Sequence, residues 1–254
     1  MNIKINLQYP CSVGSGIFSK FFILLPTLLA FDVEKVYFFA NDGSGQMTSN
    51  PFDWVFEQSY DDSFVEMGGS FEQIFTRNDM IFGCYLGAIE DYSGFEKMKQ
   101  ICSRIVFKEI ILNRVKYLSK DIDGDTLGVH TRLTDMNRVH GQYGIKTTQH
   151  YIDKINKINP KSLYLATDNN ETVTKIKSAV SYKVLVDDTL RRETTEDIRF
   201  ADVHMNLLYD EDYWQEVFSD MLTLSLCNSL VCGVSNFSNA AILFSKTFKN
   251  IYRI

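Results

Sequence analysis

This sequence of 254 residues lacks a run of basic residues, an apolar stretch long enough to cross a bilayer, and a cysteine pair at metal-knuckle spacing. With a formal net charge of −6, the first absence argues against nucleic acid as a main partner. An anionic ligand would have to be met by a few local cations. The longest apolar run, residues 21–31, is too short for a membrane helix and contains Pro26. The cysteines number five, an odd count that fits buried free thiols in a reducing compartment. Residues 1–10 alternate polar and apolar side chains and do not read as a signal peptide. The expectation is a soluble cytosolic protein with no transmembrane segment, with work at a membrane surface left open. A hydrophobic share of 45% and a charged share of 23% are those of an ordinary globular chain, long enough for one large domain or two small ones.

In the first half, Ile3, Ile5 and Leu7 alternate with polar neighbours and predict a strand. Gly14 and Gly16 follow and open an apolar segment, residues 17–30, read as a buried helix kinked or restarted at Pro26. A strand, a glycine turn and a helix N-terminus can cradle a phosphate. On its own, Gly-x-Gly reads first as close helix–strand packing. Residues 36–40 form a second expected strand. Trp54, Phe56 and Tyr60 read as packing aromatics before they read as an acceptor pocket. Gly68-Gly69 is an expected turn, with a short strand at 80–85. Residues 95–118 have helical spacing, in one helix or two. The polar stretch from Ser119, with Gly124, is the clearest linker, and the expected domain boundary lies there.

The second half alternates strand and helix. Strands are expected at 126–132, 163–166, 184–186, 230–234 and, last and short, 249–253. Helices are expected after Thr147 or Thr148, after Asn169 or Asn170, over 213–226 and over 237–246. Such alternation predicts an α/β fold with a parallel sheet and right-handed crossovers. Ligands of such sheets bind beyond the carboxyl ends of the strands. Arg132, Asp168, Asp187 and Ser235 all fall at expected strand ends, an agreement that favours a ligand site.

Residues 127–135, Leu-Gly-Val-His-Thr-Arg-Leu-Thr-Asp, concentrate the chemistry. Alternation puts Gly128, His130 and Arg132 on one face, and Val129 and Thr131 on the other. A guanidinium fork at a strand end matches a phosphate. A structural latch between Arg132 and Asp135 fits the same spacing. Asp220 lies on the apolar stripe Val217, Met221, Leu224 of its helix. A carboxylate facing a core needs a specific donor, such as a base or a ribose.

The segment His130-Thr-Arg132-Leu-Thr134-Asp135 resembles the His-x-Arg-x-Thr-Asp motif of the α1,6-fucosyltransferases. That family extends to the nodulation fucosyltransferases and, more distantly, the protein O-fucosyltransferases. Leu165-Ala-Thr-Asp168-Asn169 is similar to their Ala-Thr-Asp-Asp segment. The stretch from Asp220 to Ser235 and Asn236 is similar to their last helix and strand. Order and spacing hold over about residues 100–246, and Gly14-Ser-Gly16 resembles their glycine turn more loosely. The resemblance implies a GT-B-like fold of two Rossmann-like lobes with parallel sheets. The N-terminal acceptor-side lobe, 1–120, would be reduced, and 125–254 would hold the nucleotide sugar. It implies transfer of fucose from GDP-fucose to a glycan or glycoconjugate acceptor, with inversion, no essential metal and no cofactor beyond the donor.

By position, the resemblance puts Arg132 on the pyrophosphate, His130 against the nucleotide and Asp220 on the guanine edge. It puts Ser235 and Asn236 on phosphate or ribose, and Asp168 in the pocket wall. This chain departs from the family pattern where a second Arg, a Lys and a Glu base are expected. Those positions hold Leu133, Met136 and His140. His140 or Asp135 is then the expected base. A transferase using another nucleotide sugar, or a nucleotide- or glycan-binding module that has lost transfer, also fits these departures.

Overall fold

The computed structural model describes residues 2–8, 18, 35–41, 50–59, 63, 65–68, 88–91, 93–133, 146–187 and 210–254. Its strands are β1 (Asn2–Gln8), β2 (Lys35–Asn41), β3 (Val65–Gly68), β4 (Thr126–Thr131), β5 (Ser162–Thr167), β6 (Lys183–Leu185), β7 (Ser229–Cys232) and β8 (Asn250–Arg253). Its helices are α1 (Phe95–Cys102), α2 (Glu109–Leu118), α3 (Thr148–Ile158), α4 (Asn170–Ala179), α5 (Glu211–Ser225) and α6 (Asn236–Phe244). The helical stretch expected at 95–118 is thus two helices. β3 falls where the sequence suggested only a turn. The expected strand at 80–85 and most of the expected helix at 17–30 lie outside the described residues.

The strands form two sheets, a three-stranded β2-β1-β3 and a five-stranded β6-β5-β4-β7-β8. Every pairing in both is parallel. The fold is therefore α/β and GT-B-like, with the smaller sheet N-terminal.

β4 is central in the larger sheet. Its apolar side chains split by alternation. Leu127 and Val129 join Leu163, Leu165, Ile152, Ile155 and Ile176 on the face of α3 and α4. Tyr164, Ala166, Leu230 and Cys232 face α5 and α6, packing with Trp214, Phe218, Met221 and Ala240. The sheet winds one way from β4 through β5 to β6, and the other way through β7 to β8. The switch point, where ligands of such sheets bind, is between β4 and β7.

Gly128 lets α5 approach β4. A Cβ there would stand 2.9 Å from Leu224 Cδ1, 3.2 Å from Cys227 Cβ and 3.3 Å from the Ser229 carbonyl oxygen. Gly128→Ala is expected to overpack this contact and lower stability by about 1–3 kcal/mol, read as a shift of the urea midpoint.

The smaller sheet is joined to the larger by aromatics. Phe38 of β2 packs with Phe52 and Phe56. Phe52 meets Trp214 edge-on at 5.4 Å. The Gln58 side-chain amide pairs with both backbone groups of Phe38, accepting from its N–H at 3.0 Å and donating to its carbonyl at 2.8 Å. Trp54 and Phe56 are therefore packing residues, as expected; Tyr60 lies outside the described residues. Cys102, Cys227 and Cys232 are buried free thiols. Among the described residues no helix is long and apolar enough to cross a membrane.

Candidate nucleotide site at the switch point

Two strand ends are pinned level by their threonines. Thr131 and Thr167 are register partners, and the Thr131 hydroxyl donates to Thr167 Oγ1 at 2.7 Å. Arg132 and Asp168 therefore leave adjacent strands at one height. Arg132 is partly buried. Asp168 is partly exposed, with its Oδ1 atom buried. Asn169 then caps α4, its side chain accepting from the Thr172 amide at 3.0 Å. Leu133 turns to the α3–α4 side and packs against that core, so this position offers apolar contact.

On the other side of the switch point, β7 ends at Cys232, the register partner of His130. Gly233 follows, where a Cβ would press on the Tyr151 hydroxyl at 3.1 Å. Ser235 caps α6, accepting from the Ser238 amide at 3.1 Å. Asn236 is the first residue of α6, and its Oδ1 is buried. The helix N-terminus carries partial positive charge towards this edge.

His130 joins the two sides. It is 6% exposed and stacks on Phe237 of α6, with centroids 4.4 Å apart. Its Nδ1 lies 3.4 Å from Ser235 Oγ. Phe18, two residues beyond Gly16, meets Phe237 edge-on at 5.3 Å. Burial, and then the charges of Arg132 and Arg253, push the imidazole down to about 3. The ring is neutral at physiological pH and does not add a cation to the edge.

A pH dependence follows. The unfolded chain takes up this proton near pH 6.5, while the folded chain does not until about pH 3. Stability is therefore expected to fall as pH drops below 6.5, by about 1.4 kcal/mol per pH unit. Urea midpoints measured between about pH 6.5 and 5 should show this slope, and His130→Gln should flatten it. An equal slope in the variant would contradict the assignment.

Asp220 is buried on the sheet-facing side of α5, as its stripe predicted, with 7% exposure. Its Oδ1 accepts from the Tyr164 hydroxyl at 2.5 Å. Nearby, Arg114 of α2 donates to Asp187 Oδ2 at 3.0 Å and to Glu216 Oε1 at 3.4 Å. Burial opposes the Arg114 charge, but Asp187, Glu216 and Asp220 outweigh it and raise its pKa. Asp187, a strand-end carboxylate in the sequence reading, is thus tied to a helix.

Arg253 of β8 makes a second tie. It grips both oxygens of Glu90, at 2.9 and 2.6 Å, and donates to Asn239 Oδ1 at 3.0 Å. Sequence reading missed Arg253, Arg114, Tyr164 and Phe237. Single charged or aromatic residues inside apolar segments give no spacing signal.

The structure brings His130, Arg132, Asp168, Ser235 and Asn236 to one edge of the large sheet, and sets Asp220 on the face beneath. Gly14, Gly16, Asp135 and His140 lie outside the described residues. Among the described residues no group of three or more His, Cys, Asp or Glu side chains could hold a metal ion.

No protein-family model matches the sequence, and no curated protein matches it. Solved structures do. The α1,6-fucosyltransferase NodZ, in a crystal soaked with GDP-fucose, is 14% identical with a TM-score of 0.56, over 96% of this chain and 93% of that one. Selenomethionine NodZ from Bradyrhizobium is 13% identical with a TM-score of 0.56 over the same shares, 96% and 93%. The chain shares its fold with NodZ. A GDP complex of POFUT1 is 12% identical, with a TM-score of 0.49 over 99% of this chain and 97% of that one. The likeness to NodZ extends along nearly the whole chain, so both sheets belong to the shared fold.

Proposed function

We propose that the protein is an inverting, metal-independent glycosyltransferase that moves fucose from GDP-fucose to a glycan or glycoconjugate acceptor. One observation carries the reading. Arg132 and the N-terminus of α6 stand on either side of the switch point, joined by a histidine that burial and flanking charge hold neutral. That combination suits a diphosphate: two positive elements for the anion and an uncharged ring for the nucleoside. The NodZ fold, described from a crystal soaked with GDP-fucose, supports the same donor.

In this reading an acceptor hydroxyl loses its proton to Asp135 or His140 and its oxygen attacks the anomeric carbon. The bond from that carbon to the diphosphate oxygen breaks. Arg132 holds the charge that grows on the departing diphosphate, aided by α6 and the amides near Gly14 and Gly16. Ser235 and Asn236 meet phosphate or ribose. Asp168 shapes the pocket, and Asp220 accepts from the guanine edge. Residues 1–120 serve the acceptor and 125–254 the donor.

A second reading is a nucleotide- or glycan-binding module of the same fold without transfer. The core packing of Leu133, in place of a second cation, favours it. A thermal-shift panel of GDP, UDP, dTDP and CMP names the donor base, because a ligand that binds only the folded form raises its stability. GDP is expected to stabilise most, and a larger shift with UDP or dTDP would move the reading to another nucleotide sugar. Release of fucose from GDP-fucose separates enzyme from module: turnover is expected, and binding without turnover would leave the second reading.

A further inference from the structure

Charge is unevenly spread along this chain. Residues 97–120 hold seven of its 26 Lys and Arg but only one, Glu109, of its 32 Asp and Glu. No two of the seven are adjacent, so the sequence shows no basic run, and it is folding that gathers them. α1 packs on α6 and α2 on α5. Both bury their inner sides, Met98, Cys102 and Ile111, in one apolar cluster, so their outer sides look away from the same layer. Arg114 is tied to Asp187 and Glu216. Lys97, Arg104, Lys116 and Lys120 are exposed, and Lys99 and Lys108 partly so. Just beyond the segment stand Glu96 and Asp121, the latter tied to Lys183 at 3.0 Å. The same surface keeps apolar side chains in water. Of the five large apolar side chains left exposed among the described residues, four are Val106, Ile110, Leu112 and Tyr117, each between 48% and 66% exposed. Ile110 and Tyr117 lie one above the other on a flank of α2, Leu112 lies on the opposite flank, and Asn113 and Lys116 stand between. Lys120 holds its ammonium 4.4 Å from the centre of the Tyr117 ring.

We infer that the outer side of α1 and α2 is a docking face for a bilayer that carries anionic lipid. Cations alone would suit any polyanion. Apolar side chains set among them suit the boundary between headgroups and acyl chains. There Ile and Leu leave water, Tyr sits at headgroup level, and lysine stems lie along apolar surface with their ammonium groups in water. A soluble polyanion gives an exposed isoleucine or leucine nothing to gain. The charge of the whole chain sets the orientation. With a formal net charge of −6, a negative surface attracts this face and repels the bulk of the protein. The attraction acts over about 8 Å at physiological ionic strength and weakens as salt is added. The docking face stands without the transferase reading; joined to that reading, it points to an acceptor held on a membrane lipid.

Co-sedimentation of the full chain with vesicles tests this. Vesicles of phosphatidylcholine and phosphatidylglycerol in equal parts are expected to carry the protein down at low salt. Vesicles of phosphatidylcholine alone are expected to leave most of it in solution. Lys116→Gln with Lys120→Gln is expected to weaken partition about thirtyfold, the effect of removing two cations from a negative surface. Ile110→Ser with Leu112→Ser keeps every charge and is expected to weaken it about tenfold. All four side chains are exposed, so both variants are expected to fold, and an unchanged urea midpoint checks this. Lys157→Gln with Lys177→Gln removes the same charge from exposed positions on α3 and α4, across the sheet, and is expected to change partition by less than about threefold. An equal loss in that control pair, or no sedimentation with the anionic vesicles, would overturn the docking face. Vesicle binding unchanged by the loss of Ile110 and Leu112 would also overturn it. Dextran sulfate bound as tightly as the vesicles would then give the face to a soluble polyanion.

Discussion

Arg132→Ala is expected to lower transfer or hydrolysis of GDP-fucose by about 100- to 1,000-fold, the usual effect of removing a charge-stabilising donor at a leaving group. The loss should fall mainly on kcat if the guanidinium acts as charge develops, and mainly on KM if it holds ground state and transition state alike. Arg132→Lys should recover only part of the rate. An ammonium supplies a point charge but not the two parallel donors of the fork. The neighbouring Leu133 packs into the apolar core, so it cannot share the task. Turnover within threefold of wild type in Arg132→Ala would remove the residue from the mechanism.

The largest loss of stability is expected at Trp214. It is fully buried on α5, edge-on to Phe52 at 5.4 Å and to Trp54 at 6.1 Å, and stacked near Phe218. Trp214→Ala leaves a cavity between the helix and the aromatics that follow β2, and should cost about 3–5 kcal/mol. The urea midpoint reads this directly. A shift equivalent to less than about 1 kcal/mol would mean that the joint between the sheets does not depend on this ring.

The large sheet was legible in the sequence because its signals are local. Short apolar runs ending in polar residues marked β4 to β8 within one or two positions, and of the expected cap pairs Thr147 or Thr148 and Asn169 or Asn170 the first of each is the cap observed. Alternation put His130 opposite Val129, and Val129 does pack in the core on the α3–α4 side while His130 stacks on Phe237 of α6. The break between α1 and α2 was not legible, since Met98, Ile101, Cys102 and Ile105 keep helical spacing across the point where α1 stops. The chemistry of the site was half legible. Residue types at strand ends placed Arg132 and Asp168, but the neutrality of His130 comes first from burial under α6, then from Arg132, and then from Arg253, which is more than 120 positions away in sequence and brought near by the β7–β8 pairing. The partner of Asp220 was hidden for the same reason. Tyr164 reads as one more apolar strand residue until α5 is laid across β5.

Titration calorimetry of GDP and guanosine against wild type and Arg132→Ala tests the central claim most directly. If the switch point grips a diphosphate, the wild type binds GDP at least a hundredfold tighter than guanosine, about 2.7 kcal/mol, and Arg132→Ala loses most of that difference while its affinity for guanosine stays the same. GDP and guanosine binding alike in the wild type, or an undiminished preference for GDP in the variant, would contradict it.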